Sequence, residues 1–169
     1  MRKILALAAL VAPLTFAPLA FGADDPDATF YKKAAEGGLF EVDTGNQAAK
    51  SSNNQQIKDF GSMLVTDHTA ANDKLKALAA SKNISLPSSA SMSQMAQKAK
   101  LDVLTGDTYD KSFLTTQIKA HQQTIALFKK EAATGQDADA KAFAEATLPT
   151  LRKHLKKAES LAASVGAKA

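Results

Sequence analysis

The sequence predicts an all-α protein folded as an antiparallel four-helix bundle, and three observations carry that prediction. Alanine supplies 34 of the 169 residues, against 8 glycines and 5 prolines, a balance that favours helix and lacks the turn residues an all-β chain needs. Between recognisable caps, apolar residues recur three and four apart, the period of a helix with one buried face. The segments are joined by short connections in two places and a long one in between, which is how paired helices build a bundle.

The first 22 residues read as a secretory signal that precedes the bundle. Arg2 and Lys3 form a positive start, an apolar run extends from Ile4 to Phe21, and Ala20-Phe21-Gly22 places small residues for cleavage near Gly22. Pro13 and Pro18 interrupt the run, and a membrane-spanning helix wants about 20 uninterrupted apolar residues. The expectation is therefore an exported, periplasmic protein whose domain comprises residues 23–169, with no integral span once the signal is removed.

The first long helix is expected from Asp27, an N-cap after Pro26, to Ser51. The second opens at Asn53, with Gln56 three residues on as in a capping box, and reaches Lys82. Residues 83–89 contain Pro87 and three serines, which compete with helix and mark a linker. A short helix follows from Ser91, with Gln94 as its capping partner, to Gly106. The third long helix runs from Asp107 to Gly135, and the fourth from Asp137 to Val165. The two tight turns make two hairpins. The long connection between them is able to carry the chain back along a bundle roughly 40 Å in length, which is the ferritin-like topology with one crossover bearing one short helix.

Composition narrows the chemistry. With no cysteine and no tryptophan, disulfides, thiolate sites and thiol catalysis are excluded, and little remains for stacking on sugars or bases. Without Arg2 and Lys3 the chain holds 19 basic against 17 acidic residues, and no clustered stripe suggests a nucleic-acid partner. The basic run from Arg152 to Lys157 reads as a solvated face, with peripheral contact to an anionic envelope surface as its only membrane role.

Function must then rest on histidine, carboxylate, methionine or the surface. At about 100° per residue, His68 falls on the stripe of Ile57, Phe60, Leu64 and Leu75, and His121 on that of Phe113, Leu114, Ile118 and Phe128. His154 falls among Phe143, Leu151, Ala158 and Leu161, while Glu41 shares a face with Phe30, Ala34 and Ala48. Each of the four lies near the middle of its helix, so all four are expected in one layer of the bundle. Three imidazoles and a carboxylate suit Zn(II), Cu(II) or Fe(II). Asp67, beside His68, fits as an outer acceptor for a ligand or as a further ligand. The Glu-x-x-His pairs of di-iron bundles are absent, since Val65, Ile118 and Leu151 stand three before the histidines, and no other arrangement marks an enzyme. The other reading is a non-catalytic structural or interaction bundle whose histidines and Glu41 form a buried hydrogen-bond network without metal.

Weaker features complete the reading. Met92 and Met95, with Met63, form a candidate soft Cu(I) set, although thioethers more often fill gaps in a core. Gly37-Gly38 implies close approach of a neighbour or a bend near Glu41, and Pro149 implies a kink or a restart in the fourth long helix. Leu39 and Phe40 fall on the polar side of the first helix, where they would cover the crossover or form a partner patch.

These residues carry a resemblance. The run Ala34-Ala35-Glu36-Gly37-Gly38 with Glu41-Val42, then Asp67-His68-Thr69, His121, and Thr147-Leu148-Pro149-Thr150-Leu151 with His154-Leu155 resembles the exported bacterial family called domain of unknown function 4142. The likeness covers about Phe30 to Leu161. It implies a ferritin-like bundle, export, and a label as outer membrane protein, and it makes Glu41, Asp67, His68, His121 and His154 the counterparts of the family's characteristic polar positions. Many relatives carry acidic residues around the third-helix histidine where Ala120 and Gln122 stand here. A role in envelope or stress physiology is the functional expectation.

Overall fold

A computed structural model describes residues 26–167, and the expected signal segment lies outside them. Five α-helices account for the secondary structure of the described residues: α1 (Pro26–Ser51), α2 (Gln55–Ser81), α3 (Met92–Asp102), α4 (Gly106–Thr134) and α5 (Ala138–Ser164). They pack as a helical bundle in which α1 lies along α2 and α4 along α5, and the two pairs meet through α1 on α4 and α2 on α5. The shorter α3 touches α1 and α4. Among the described residues no helix is long and apolar enough to cross a membrane.

The caps explain most boundaries. Ser91 and Gln94 form the expected capping box of α3, and Asp137 caps α5 by accepting the Asp139 N–H at 2.9 Å. Asn54, one residue beyond Asn53, caps α2 by accepting the Gln56 N–H at 2.9 Å. The short helix stops at Asp102 with Val103 as its C-cap, and Gly106, expected to close it, takes φ 57° and opens α4 instead. Asp27 sits inside the first turn of α1 and accepts the N–H groups of Gln136 (3.0 Å) and Asp137 (2.6 Å), tying α1 to the α4–α5 turn. At the same end Asp137 accepts the Tyr31 hydroxyl at 3.0 Å and pairs with Lys82 at 2.9 Å. Burial opposes a charge on Asp137, but Lys82, the Asp139 N–H and Tyr31 outweigh it and hold the carboxyl below its ordinary value.

The apolar interior comes in two parts. One gathers Phe30, Tyr31, Leu75, Phe128, Phe143 and Leu151, and the other Phe60, Leu64, Tyr109, Phe113, Leu114 and Leu161. In each long helix the first set and the second lie on opposite sides of positions 41, 68, 121 and 154, so the core is divided by a polar layer. Burying each large apolar side chain contributes roughly 1.5–3 kcal/mol, and the two clusters hold the layer from both sides.

Backbone approaches are closest between α1 and α2. A Cβ on Gly45 would lie 2.8 Å from the Gly61 carbonyl oxygen, and one on Gly61 would lie 2.6 Å from that of Gly45, so only glycine fits at this crossing. Gly38 meets the carboxamide of Asn72, which occupies the place of a Cβ. α5 runs without a restart through Pro149.

Two expectations are revised. Phe40, read on the polar side of α1 as covering the long connection or forming a partner patch, is 1% exposed beside the groove where α3 of that connection meets α1 and α4, which fits the covering role and not an exposed patch. Met92 and Met95 fill no core gap. They are 80% and 41% exposed on the outer face of α3, whereas Met63 of α2 packs on the second apolar cluster.

Candidate metal centre

Each long helix delivers one polar residue to the layer between the two apolar clusters. His68 from α2, His121 from α4 and His154 from α5 are all buried, as is Glu41 from α1. The ring centroids of His68 lie 5.6 Å from His121 and 5.3 Å from His154, and those of His121 and His154 are 5.4 Å apart. One ring nitrogen from each histidine lies within 4.8 Å of the other two. A metal held by imidazoles at about 2.1 Å wants nitrogens roughly 3.4 Å apart, so the rings would have to draw together to grip an ion.

The hydrogen bonds assign the ring protons. His154 Nε2 stands 2.8 Å from Asp67 Oδ2, and a carboxylate only accepts, so Nε2 carries the hydrogen and Nδ1 keeps its lone pair. His121 Nδ1 stands 2.9 Å from the Gln117 carbonyl oxygen, so its hydrogen is there and Nε2 is the free base. These free nitrogens, His154 Nδ1 and His121 Nε2, are buried without hydrogen-bond partners, as is His68 Nε2. Buried polar atoms ordinarily find a partner. Three that do not, on three rings grouped together, form a donor set that fits a metal ion.

Electrostatics keeps these rings neutral. Burial holds His68 well below its ordinary value, and the neighbouring His121 and His154 act in the same direction. Burial brings His121 down to about 4, against the pull of its bond to the Gln117 carbonyl. His154 is lowered by burial in spite of Asp67, which favours its charged form. At neutral pH each imidazole is therefore uncharged, with one N–H and one nitrogen lone pair.

Glu41 stands beside the triad rather than in it. Its Oε1 lies 3.8 Å from His121 Nδ1, the nitrogen turned toward Gln117, and its Oε2 is buried without a partner. Burial pushes its carboxyl up to about 8, although a hydrogen bond from Gln117 favours the charged form. Glu41 and His68 both line a small cavity of about 20 Å³ together with Asn72, Thr124 and Thr147, room for about one water-sized group. Gln117 is the member of this layer that sequence reasoning missed. Its side-chain amide donates to Thr44 Oγ1 at 2.9 Å, and its position one turn before His121 on the same face was the available signal.

A family model described as Domain of unknown function (DUF4142) matches residues 17–161. The chain belongs to the DUF4142 family. No curated protein matches the sequence. Among solved structures, the DUF4142 chain is similar to a DUF305 protein of Streptomyces coelicolor described as secreted, at a TM-score of 0.73 and 16% identity over 87% of this chain and 98% of the other. A DUF305 fragment from Deinococcus radiodurans gives a TM-score of 0.73 at 13% identity, covering 82% and 96%. CopM in its Cu(II)-bound form gives 0.67 at 11% identity, also covering 82% and 96%, and it has been solved in Cu(I)-bound and Ag-bound forms too. At these identities the likeness is one of fold.

Proposed function

We propose that this DUF4142 protein is exported by its first 22 residues and binds one transition-metal ion in the middle of a ferritin-like four-helix bundle, serving metal handling in the envelope or under stress. The observation that carries this reading is that three buried histidines come close enough to share an ion while each keeps one ring nitrogen without a hydrogen-bond partner. Residues 82–105 form the crossover in this arrangement, with α3 within it.

His68, His121 and His154 would hold the ion, and Glu41 would add a carboxylate and a negative charge. Asp67 and the Gln117 carbonyl orient two of the rings by fixing the proton on the nitrogen that faces away, the usual partnership of a metal-bound histidine with an outer acceptor. Because burial disfavours protonated imidazole, little competition from protons is expected at the three rings near neutral pH. The donor set suits Cu(II), Zn(II) or Fe(II); the general affinity order puts Cu(II) first, and the fold likeness to copper-bound CopM points the same way. An ion there supplies a fixed positive charge at which the orphaned nitrogens are satisfied.

The second reading, a metal-free structural bundle, is favoured by the 2.8 Å bond between His154 and Asp67. It leaves Glu41 Oε2 and three imidazole nitrogens unsatisfied, which is a costly way to build a core. Metal analysis of protein purified from the periplasm without a histidine tag distinguishes the two. We expect one ion per wild-type chain and its loss in His68→Ala and His121→Ala; equal metal content in all three overturns the proposal.

A further inference from the structure

Two hollows meet at Gly37. One is the cavity of about 20 Å³ inside the bundle, where Glu41, His68, Asn72 and Thr147 face one another. The other is a surface groove of about 440 Å³ between α1, the start of α3 and α4, with Lys33, Glu36, Gln94 and Gln123 on its walls. Gly37, Glu41 and Thr124 line both, so a single carboxylate borders the outer groove and the inner cavity.

The continuity comes from a missing side chain. A Cβ on Gly37 would meet nothing closer than Thr124 Oγ1 at 3.8 Å and Gln94 Nε2 at 4.0 Å. The room over this residue takes a methyl group at ordinary contact distance from two polar side-chain ends, and its backbone is ordinary helix that other residues adopt. One position on, the reverse holds, because the Asn72 carboxamide fills the room over Gly38. Beyond Asn72 lies a second surface groove of about 440 Å³, lined by Leu39, Ala80, Ile84 and Pro87. That side of α1 is largely apolar and stoppered by Asn72, whereas the Gly37 side is polar and has a methyl-sized gap between Thr124 and Gln94.

We propose that a metal ion reaches the histidine triad through the gap over Gly37, passing from the polar groove to Glu41 and then to the cavity beside His68. The passage rests on the metal-site reading above. An ion leaving water needs polar partners throughout its path. The groove supplies amides and charged groups at its walls, and Glu41, 3% exposed with Oε2 unpartnered, is the first buried donor along it. Gly37-Gly38 thus divides two tasks: the first glycine keeps a door open and the second lets Asn72 shut the other.

Stopped-flow mixing of metal-free protein with Cu(II), read by visible absorption, tests the passage, followed by withdrawal of the ion with excess EDTA. Gly37→Leu would fill the gap and Gly37→Ala narrow it, both with better helix formers. Circular dichroism verifies that each variant is folded. A barrier on the path raises both activation free energies equally, so Gly37→Leu should slow uptake and release alike by about tenfold or more, with equilibrium affinity unchanged. Gly37→Ala should fall between, and Ala80→Leu, in the other groove, should match the wild type. Wild-type rates in Gly37→Leu, or slowing by Ala80→Leu instead, would overturn the passage alone. No uptake by the wild type overturns the metal-site reading and the passage with it.

Discussion

The Asp67 carboxylate of α2 stands 2.8 Å from Nε2 of His154 on α5, so a partly exposed acid on one helix decides which nitrogen a buried ring on another turns inward. Outer acceptors of this kind typically contribute 10–100-fold to metal affinity, and Asp67→Ala is expected to weaken Cu(II) binding by about that factor. Asp67→Asn, which still offers an oxygen to the Nε2 hydrogen, should recover part of the loss. Competition titration against a chelator of known affinity measures both; identical affinities in all three proteins would show that Asp67 does not orient the ring.

Proton release separates a coordinating Glu41 from a bystander. Burial raises its carboxyl to about 8, so at pH 7 it is mostly protonated in the metal-free protein. Coordination requires the carboxylate, and binding should expel close to one proton per ion at that pH. Calorimetry in buffers of differing ionisation enthalpy counts the protons. Glu41→Gln should reduce the count to near zero, while an unchanged count would place Glu41 outside the coordination sphere.

Stability of the metal-free protein should pass through a maximum near pH 6.5. His68 and His154 are held below 6.5, and His121 is brought to about 4, so as pH falls from about 6.5 toward 4 the unfolded chain takes up these protons first and the fold loses stability. Glu41 acts with the opposite sign. Its carboxyl titrates at about 8 folded against 4.5 unfolded, so the folded state holds the extra proton between those values, and stability falls as pH rises through 8. Three histidines outweigh one glutamate on the acid side, and the glutamate governs the alkaline side. Urea midpoints measured across pH 4–9 should show both limbs, and Glu41→Gln should flatten the alkaline one; a monotonic profile would contradict the assignment.

The glycines of α1 and α2 should respond in opposite directions. Gly37→Ala places a methyl group at ordinary contact distance and should raise stability by up to about 1 kcal/mol through helix propensity. Gly38→Ala pushes only against the end of the Asn72 side chain and should cost no more than about 1 kcal/mol, offset in part by helix propensity, whereas Gly61→Ala pushes against the Gly45 carbonyl and the Ala49 N–H and should cost about 1–3 kcal/mol, as overpacking does. Because the Gly61 clash is with backbone while Asn72 is a side chain that can turn, Gly61→Ala should be the worse. Chemical denaturation of the three variants gives the order.

Much of this was legible in the chain because helical periodicity is a local code. His68, His121 and His154 are polar interruptions of apolar stripes, and the capping signal at Ser91 is short-range. What periodicity cannot register is a neighbour from elsewhere in the chain. Phe40 looked solvent-facing until the groove beneath α3 accounted for it. Asp27 looked like a cap for its own helix, yet its carboxylate binds the N–H groups of Gln136 and Asp137. The tautomers of His121 and His154 depend on acceptors that only the folded chain brings within 3 Å. Glu41 shows the limit most clearly: its face and its level were readable, but its distance from the triad was not.

The pairing of α1 with α2 and of α4 with α5 gives the polar layer an uneven ancestry, since Glu41 and His68 come from one pair and His121 and His154 from the other. Neither half carries enough donors to retain an ion alone. A bound ion would therefore behave as a rivet through the seam, so that the two halves part less readily with it in place than without it. Amide exchange should then register the ion as protection gained in both hairpins at once, including turns far from any ligand.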